Sequence, residues 1–204
     1  MSDAPERFGA DRIIAFSDAV VAIAITVLLL PLADIDVTNG DVFAALQDHG
    51  QLLGGLTLTW LIIAVFWVGH HRLFNRVKAV DGLTLWLNFG WLFAIALLPL
   101  PTNIVIGNDP SRQVTGFYIG WMALISLLLT LILWHVRRTP GLMSTKVDSE
   151  SAREAQIRTT LITGVFLFCL LVALVAPETA LWFLLLQMPV DTVARRLADR
   201  TAAR

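Results

Sequence analysis

Few side chains in this sequence can do chemistry, and they cluster in three places. The run RIIAFSDAVVAIAITVLLLPL, residues 12–32, carries Ser17 and Asp18 about two turns inside a stretch that is otherwise Val, Ile, Leu and Ala. An ionisable group in such a run is costly and marks either a proton or ion site or polar glue between helices. The segment FWVGHHRLFNRV, residues 66–77, supplies His70 and His71, and the next apolar run supplies Asn88. Histidine titrates near neutrality, so pH sensing stays open. A metal site does not fit, because adjacent histidines on a helix point about 100° apart. Hydrogen bonding is the simpler role, and no cofactor is expected.

The elements that position these groups follow from composition. Of 204 residues, 56% are hydrophobic and only 15% charged, against roughly half and a quarter in soluble domains. Six runs are predicted as helices, near 11–33, 51–75, 81–106, 113–138, 157–176 and 178–198, and a bilayer takes about 20 residues to cross. The fold class expected is all-α: a polytopic membrane protein, a single six-helix transmembrane domain over 1–204. The first run holds Asp18 at its head and no small-residue cleavage site follows it, so it does not read as a signal peptide. With the N-terminus placed inside, fourteen of fifteen Lys and Arg fall on the cytoplasmic side, leaving Arg112 outside. The positive-inside rule then puts both termini in the cytoplasm. Basic residues lie only on that margin, so nucleic acid is not an expected partner; the lipid bilayer is.

Pro99 and Pro101 should kink or end the third helix near Leu98, since proline removes a donor and clashes with the preceding turn. Residues 1–10 read as a loose or surface tail, 34–50 as an acidic outer loop, and 139–156 as the one long polar link. The sixth run has an apolar part, TALWFLLLQMPV, too short to span alone, and reaches sufficient length only when extended from Glu178 to about Leu197. Trp121 and Trp134 fit an interfacial belt, which is also the first reading for Trp60, Trp86 and Trp91. Cys169, the only cysteine, reads as a core residue. Gly116 and Gly120 form a small-xxx-small pair suited to helix packing.

The first helix has two faces. With Ile23 at zero, Val27 lies at about +40°, Leu30 at about −20° and Thr26 at about −60°, while Asp18 falls at about −140° and Ser17 at about +120°. The polar pair must meet polar partners, for which His70, His71 and Asn88 are available. The aliphatic stripe has three possible fates: lipid, the protomer's own core, or an axis shared between copies.

The motif Arg12, Phe16-Ser17-Asp18 followed by AVVAIAIT resembles the signature of the transmembrane protein 175 family of potassium channels. Trp67, His70, His71 and Phe74 are similar to that family's Trp-x-x-His-His-x-x-Phe pattern, and Pro101-Thr102 to its proline-threonine segment. The likeness covers helices one to three by motif and four to six by hydropathy. It implies a homotetramer in the plasma membrane of a prokaryote, in which the first helix of each subunit lines a central pore. It places the constriction at rings of Ile23, Val27 and Leu30, with Thr26 nearby, through which K+ passes. Arg12, Phe16, Ser17, Asp18, Trp67, His70, His71 and Asn88 become a packing network, with Arg12 approaching the cluster. The family often has leucine where Val27 stands, so the smaller valine would make this ring slightly wider. It often has an acidic residue past the last ring, where this chain has Pro31-Leu32 and then Asp34 and Asp36.

Three other classes compete. A proton-permeable channel or a secondary transporter would use Asp18, His70 and His71; a transporter would usually show inverted repeats, which are absent. TGFYIG, residues 115–120, has the wrong order for a filter loop. An enzyme is not expected, because no phosphate loop, nucleophile elbow or HExxH occurs.

Overall fold

The computed structural model describes residues 8–37, 40–144, 149–187 and 190–202. The tail expected over 1–10 therefore falls largely outside the described residues, as does Lys146. Its last residues are not loose. Phe8–Gly9 form a short strand, β1, paired antiparallel with β2, Ala79–Val80, so that Phe8 opposes Val80 and Gly9 opposes Ala79. Helix α1 starts at once, at Ala10, and runs to Leu28.

The remaining elements are α2 (Val42–Asp48), α3 (Gly50–Phe74), α4 (Gly82–Ala96), α5 (Pro99–Gly107), α6 (Arg112–Arg138), α7 (Ser149–Val175), α8 (Pro177–Ala180) and α9 (Val190–Ala202). Among the described residues, five spans are long and apolar enough to cross a membrane: 10–34, 50–74, 82–107, 112–138 and 152–175. The molecule is a multi-pass helical membrane protein.

Helix α6 is the middle of the packing. It lies against α4 and α5 on one side and α7 on another, and buries Tyr118, Ile119, Met122, Ile125, Leu129 and Ile132. Helix α1 packs on α3 and α4. Cys169 is fully buried, as a small core residue should be. Gly120 faces α7, where a Cβ would stand 3.7 Å from Leu170, whereas Gly116 faces open space, so only half of the small-residue pair packs.

The proline break falls where the sequence puts it. Pro99 has no N–H, and Leu98 N turns to Ile95 O at 3.1 Å in a tighter turn. That leaves the Ala94 carbonyl without its helical donor. The Trp121 indole, from α6, fills the gap at 2.8 Å. Trp121 thus locks two helices rather than serving only as belt.

The sixth helix is not one helix. After α8 the chain runs as a 3-10 segment, Leu181–Gln187, and then forms α9. The physical cause is compositional: the apolar stretch is short, prolines stand at 177 and 189, and the part beyond 190 is rich in Asp and Arg. All three pieces pack along α7. The polar link is shorter than expected, since α7 begins at Ser149. The outer loop contains α2, capped by Asp41, whose carboxylate accepts from Ala44 N at 3.0 Å. The last apolar turn of the first run is also not α-helical: Leu30–Asp34 form a 3-10 turn containing Pro31.

Candidate functional site: a pinned helix with a bare aliphatic ridge

Helix α1 buries Ala10, Ser17, Val21, Ala24 and Leu28. The spacing puts them on one face, and the small members let α1 approach α3 and α4 closely. Ser17 is the only fully buried hydroxyl of that face. It accepts a hydrogen bond from Asn88 Nδ2 of α4 at 3.1 Å. With that amide donating, Asn88 Oδ1 accepts, and His70 Nε2 of α3 donates to it at 2.7 Å. His70 is sandwiched as well, with Trp91 stacked at 4.2 Å and Phe74 at 4.4 Å between ring centroids. Three helices are thereby joined through one buried amide.

Asp18 lies beside this chain and is not deeply buried. Trp67 Nε1 donates to its Oδ1 at 2.7 Å. His71 Nδ1 stands 3.8 Å from the same oxygen. The two adjacent histidines thus meet different partners, His70 the amide of Asn88 and His71 the carboxylate of Asp18. The structure brings Ser17, Asp18, Trp67, His70, His71 and Asn88 together. Arg12 does not join them. It is exposed, and at 100° per residue it falls at about −20°, on the side of Ile23. Phe16 lies on that side too, 49% exposed, its ring edge-on to Phe89 at 6.0 Å.

The ridge itself is bare. Ile23 is 63% exposed, Val27 44% and Leu30 61%. Thr26 is exposed, and its hydroxyl donates back to Ile23 O at 2.8 Å. The ridge is therefore not in this chain's own core, which removes one of its three possible fates. Leu30 keeps its outward position although it sits in the 3-10 turn rather than in α1.

Several contributors are not evident from sequence reasoning. Trp91 is fully buried against His70, so the belt reading fails for it; Trp86, 73% exposed, suits an interface. Thr102 donates to Thr59 Oγ1 at 3.2 Å and Thr59 meets the Tyr118 hydroxyl at 3.3 Å, tying α5, α3 and α6. At the opposite end, Asp81 caps α4 by accepting from Thr84 N at 2.9 Å, and takes a bond from His135 Nε2 at 2.8 Å. The Asp-x-x-Thr spacing was a readable cap signal; the His135 partner was not. Burial opposes ionisation of Asp81, but the bonds from Thr84 and His135 outweigh it and hold the carboxyl below its usual range.

Fold and site together define a multi-pass helical membrane protein with a polar pin on one face of its first helix and an unsatisfied apolar ridge on the other. Residues 12–99 match the family described as the endosomal/lysosomal potassium channel TMEM175. The chain is 34% identical over 155 residues to a protein of Streptomyces collinus named a potassium channel, covering 72% of this chain and 74% of that one. It is 25% identical over 146 residues to the rat endosomal/lysosomal proton channel TMEM175, covering 70% of this chain and 29% of that one. Its fold superposes with a TM-score of 0.71 on the crystal structure of a lysosomal potassium-selective channel TMEM175 homolog from Chamaesiphon minutus, at 22% identity, covering 91% and 97% of the two chains. The chain belongs to the TMEM175 family, a family of ion channels and not of enzymes.

Proposed function

We propose that this protein is the subunit of a potassium channel in the plasma membrane of a prokaryote, and that four copies assemble with their α1 ridges around one axis. Both termini face the cytoplasm. The observation that carries the reading is the exposure of Ile23, Val27 and Leu30 on a helix whose other face is fixed by hydrogen bonds to α3 and α4. A helix pinned on one side presents its free side in a fixed register. Four such ridges make a narrow apolar neck, which dewets when tight and blocks hydrated ions; spreading the helices wets it and lets K+ through. Asp34 and Asp36, both exposed just beyond the ridge, supply negative charge at the outer mouth. The names of the bacterial relatives agree with K+ as the permeant ion.

The test is flux. Protein reconstituted in liposomes is expected to pass K+ rapidly without a coupled ion, and to run as four subunits in mild detergent. A monomer, or flux that depends on a second gradient, overturns the reading.

A proton-conducting reading rests on one specific observation, the 3.8 Å approach of His71 to Asp18 with both side chains over a third exposed. It agrees with the name of the rat relative. A pH gradient without K+ separates the two: a proton channel dissipates it, and a K+ channel does not.

A further inference from the structure

A groove of about 540 Å³ runs along the protomer between α3, α6, α7 and the 181–187 segment. Its α3 wall runs from Leu58 to Gly69, a rise of about 16 Å. That is close to the half-thickness, about 15 Å, of a bilayer's hydrocarbon core.

The lining is apolar: Leu61 and Val65 from α3, Leu129 from α6, Ile162 and Phe166 from α7. Gly69 leaves one stretch of the wall without a side chain. Two hydroxyls also line it, Ser126 and Thr159, and both are already engaged. Ser126 Oγ bonds Thr163 Oγ1 at 2.8 Å, and Thr159 Oγ1 donates to Gln156 O at 3.1 Å. Such a wall offers little to a polar solute. The fluid around a membrane-spanning helix is hydrocarbon, and an empty apolar cleft forfeits the dispersion contacts of its lining. An acyl chain restores them.

The two ends of the groove differ in charge. Arg158, in the third turn of α7, lines one end, and Glu178, beyond the end of α7, lines the other. The arginine end belongs to a basic margin. Arg153 precedes Arg158 on α7, Arg137 and Arg138 close α6, which packs on α7, and Arg196 is exposed on α9, which also packs along α7. A phosphate is attracted to that end and repelled from the Glu178 end.

We propose that the groove binds a phospholipid of anionic head group, with one acyl chain along Leu61, Val65, Ile162 and Phe166 and its phosphate at the Arg158 end. The inference requires only that the chain sits in a bilayer, so it stands or falls apart from the potassium-channel reading.

The probe is phosphatidylglycerol, with phosphatidylcholine as its uncharged counterpart. Delipidated full-length protein in mild detergent is titrated with each, and bound lipid is counted by native mass spectrometry. Val65 is 65% exposed on the groove wall, so Val65→Trp places bulk in the groove and not in the core. Leu61→Trp does the same from the next turn, and each variant is used only if it melts as wild type does. Wild type is expected to hold one phosphatidylglycerol per chain. The tryptophan variants should bind at least about tenfold more weakly. Arg158→Gln should keep the lipid but lose roughly fivefold of its preference for the anionic head group. Undiminished binding in both tryptophan variants places the lipid elsewhere and overturns the proposal. An unchanged preference in Arg158→Gln overturns the head-group assignment. In a Cys169→Ser background, a disulfide between chains through Leu61→Cys would put a second copy in the groove and exclude the lipid.

Discussion

Trp67 on α3 hands its indole hydrogen to Asp18 on α1 across 2.7 Å. The bond answers why a carboxylate is kept in so apolar a run: it is an acceptor for a neighbouring helix. Interhelical bonds of this kind contribute about 0.6–2 kcal/mol in membranes. Asp18→Asn keeps an acceptor and is expected to weaken assembly slightly. Asp18→Leu leaves the indole unpaired and should lower the unfolding temperature clearly, with ion preference unchanged in both. Intact stability together with altered selectivity would instead make Asp18 part of the ion path.

Asn88 holds two helices to its own through one amide, accepting from His70 and donating to Ser17. Asn88→Leu orphans both partners in a buried site, and each unmet polar group costs about 1–3 kcal/mol. Ser17→Ala orphans only one amide hydrogen and should cost less. The double variant is expected to fall short of the summed single effects, since the two changes share a bond. Thermal unfolding of the three variants measures this, and strict additivity would show that the Ser17–Asn88 bond carries no coupling.

The ridge predicts conductance. Ile23→Asn places an amide in the apolar neck, favours wetting and should raise leak current in planar bilayers. Val27→Leu narrows the ring and should lower single-channel conductance. If neither substitution moves the current, Ile23 and Val27 do not line the passage.

Asp81 predicts an acid dependence. Although burial raises its pKa, bonds from Thr84 and His135 lower it by more, so the folded value lies below the unfolded one. A carboxyl depressed in this way adds stability that is present above the unfolded pKa, about 4, and is lost as pH falls through the folded value. Unfolding temperature should therefore drop as pH is lowered through and below the unfolded value. In Asp81→Asn that drop should be shallower, because no charge remains to neutralise. An identical pH profile in wild type and variant removes Asp81 as its source.

Much of the site was legible along the chain because helix periodicity is rigid. The angle between Ser17 and Ile23, about 120°, sets them on different faces, and Ser17 is fully buried while Ile23 is 63% exposed. The proline break near Leu98 was likewise dictated locally, since Pro99 cannot donate. Trp91 shows where such reading stops. Its place on an apolar helix suits a membrane interface as well as a core, and only the stacking of His70 against it decides between them. The 178–198 run failed for a related reason: length and charge sorting favoured one crossing helix, while the short apolar stretch settled into α8 and a 3-10 segment and the polar part after it into α9, all along α7.

By itself the sequence determined that the chain lives in a bilayer, that its first helix has a polar face and an aliphatic one, and which residues stand on each. These follow from hydropathy and from 100° per residue, which are properties of neighbours along the chain. The tertiary structure decided which partner each polar group takes: Asn88 for Ser17, Trp67 for Asp18, His135 for Asp81. It also decided that Phe8–Gly9 tie the start of α1 to the α3–α4 turn. Hydrogen bonds between residues dozens of positions apart depend on helix packing, and packing is set by shapes from several helices at once, which no single stretch of sequence contains.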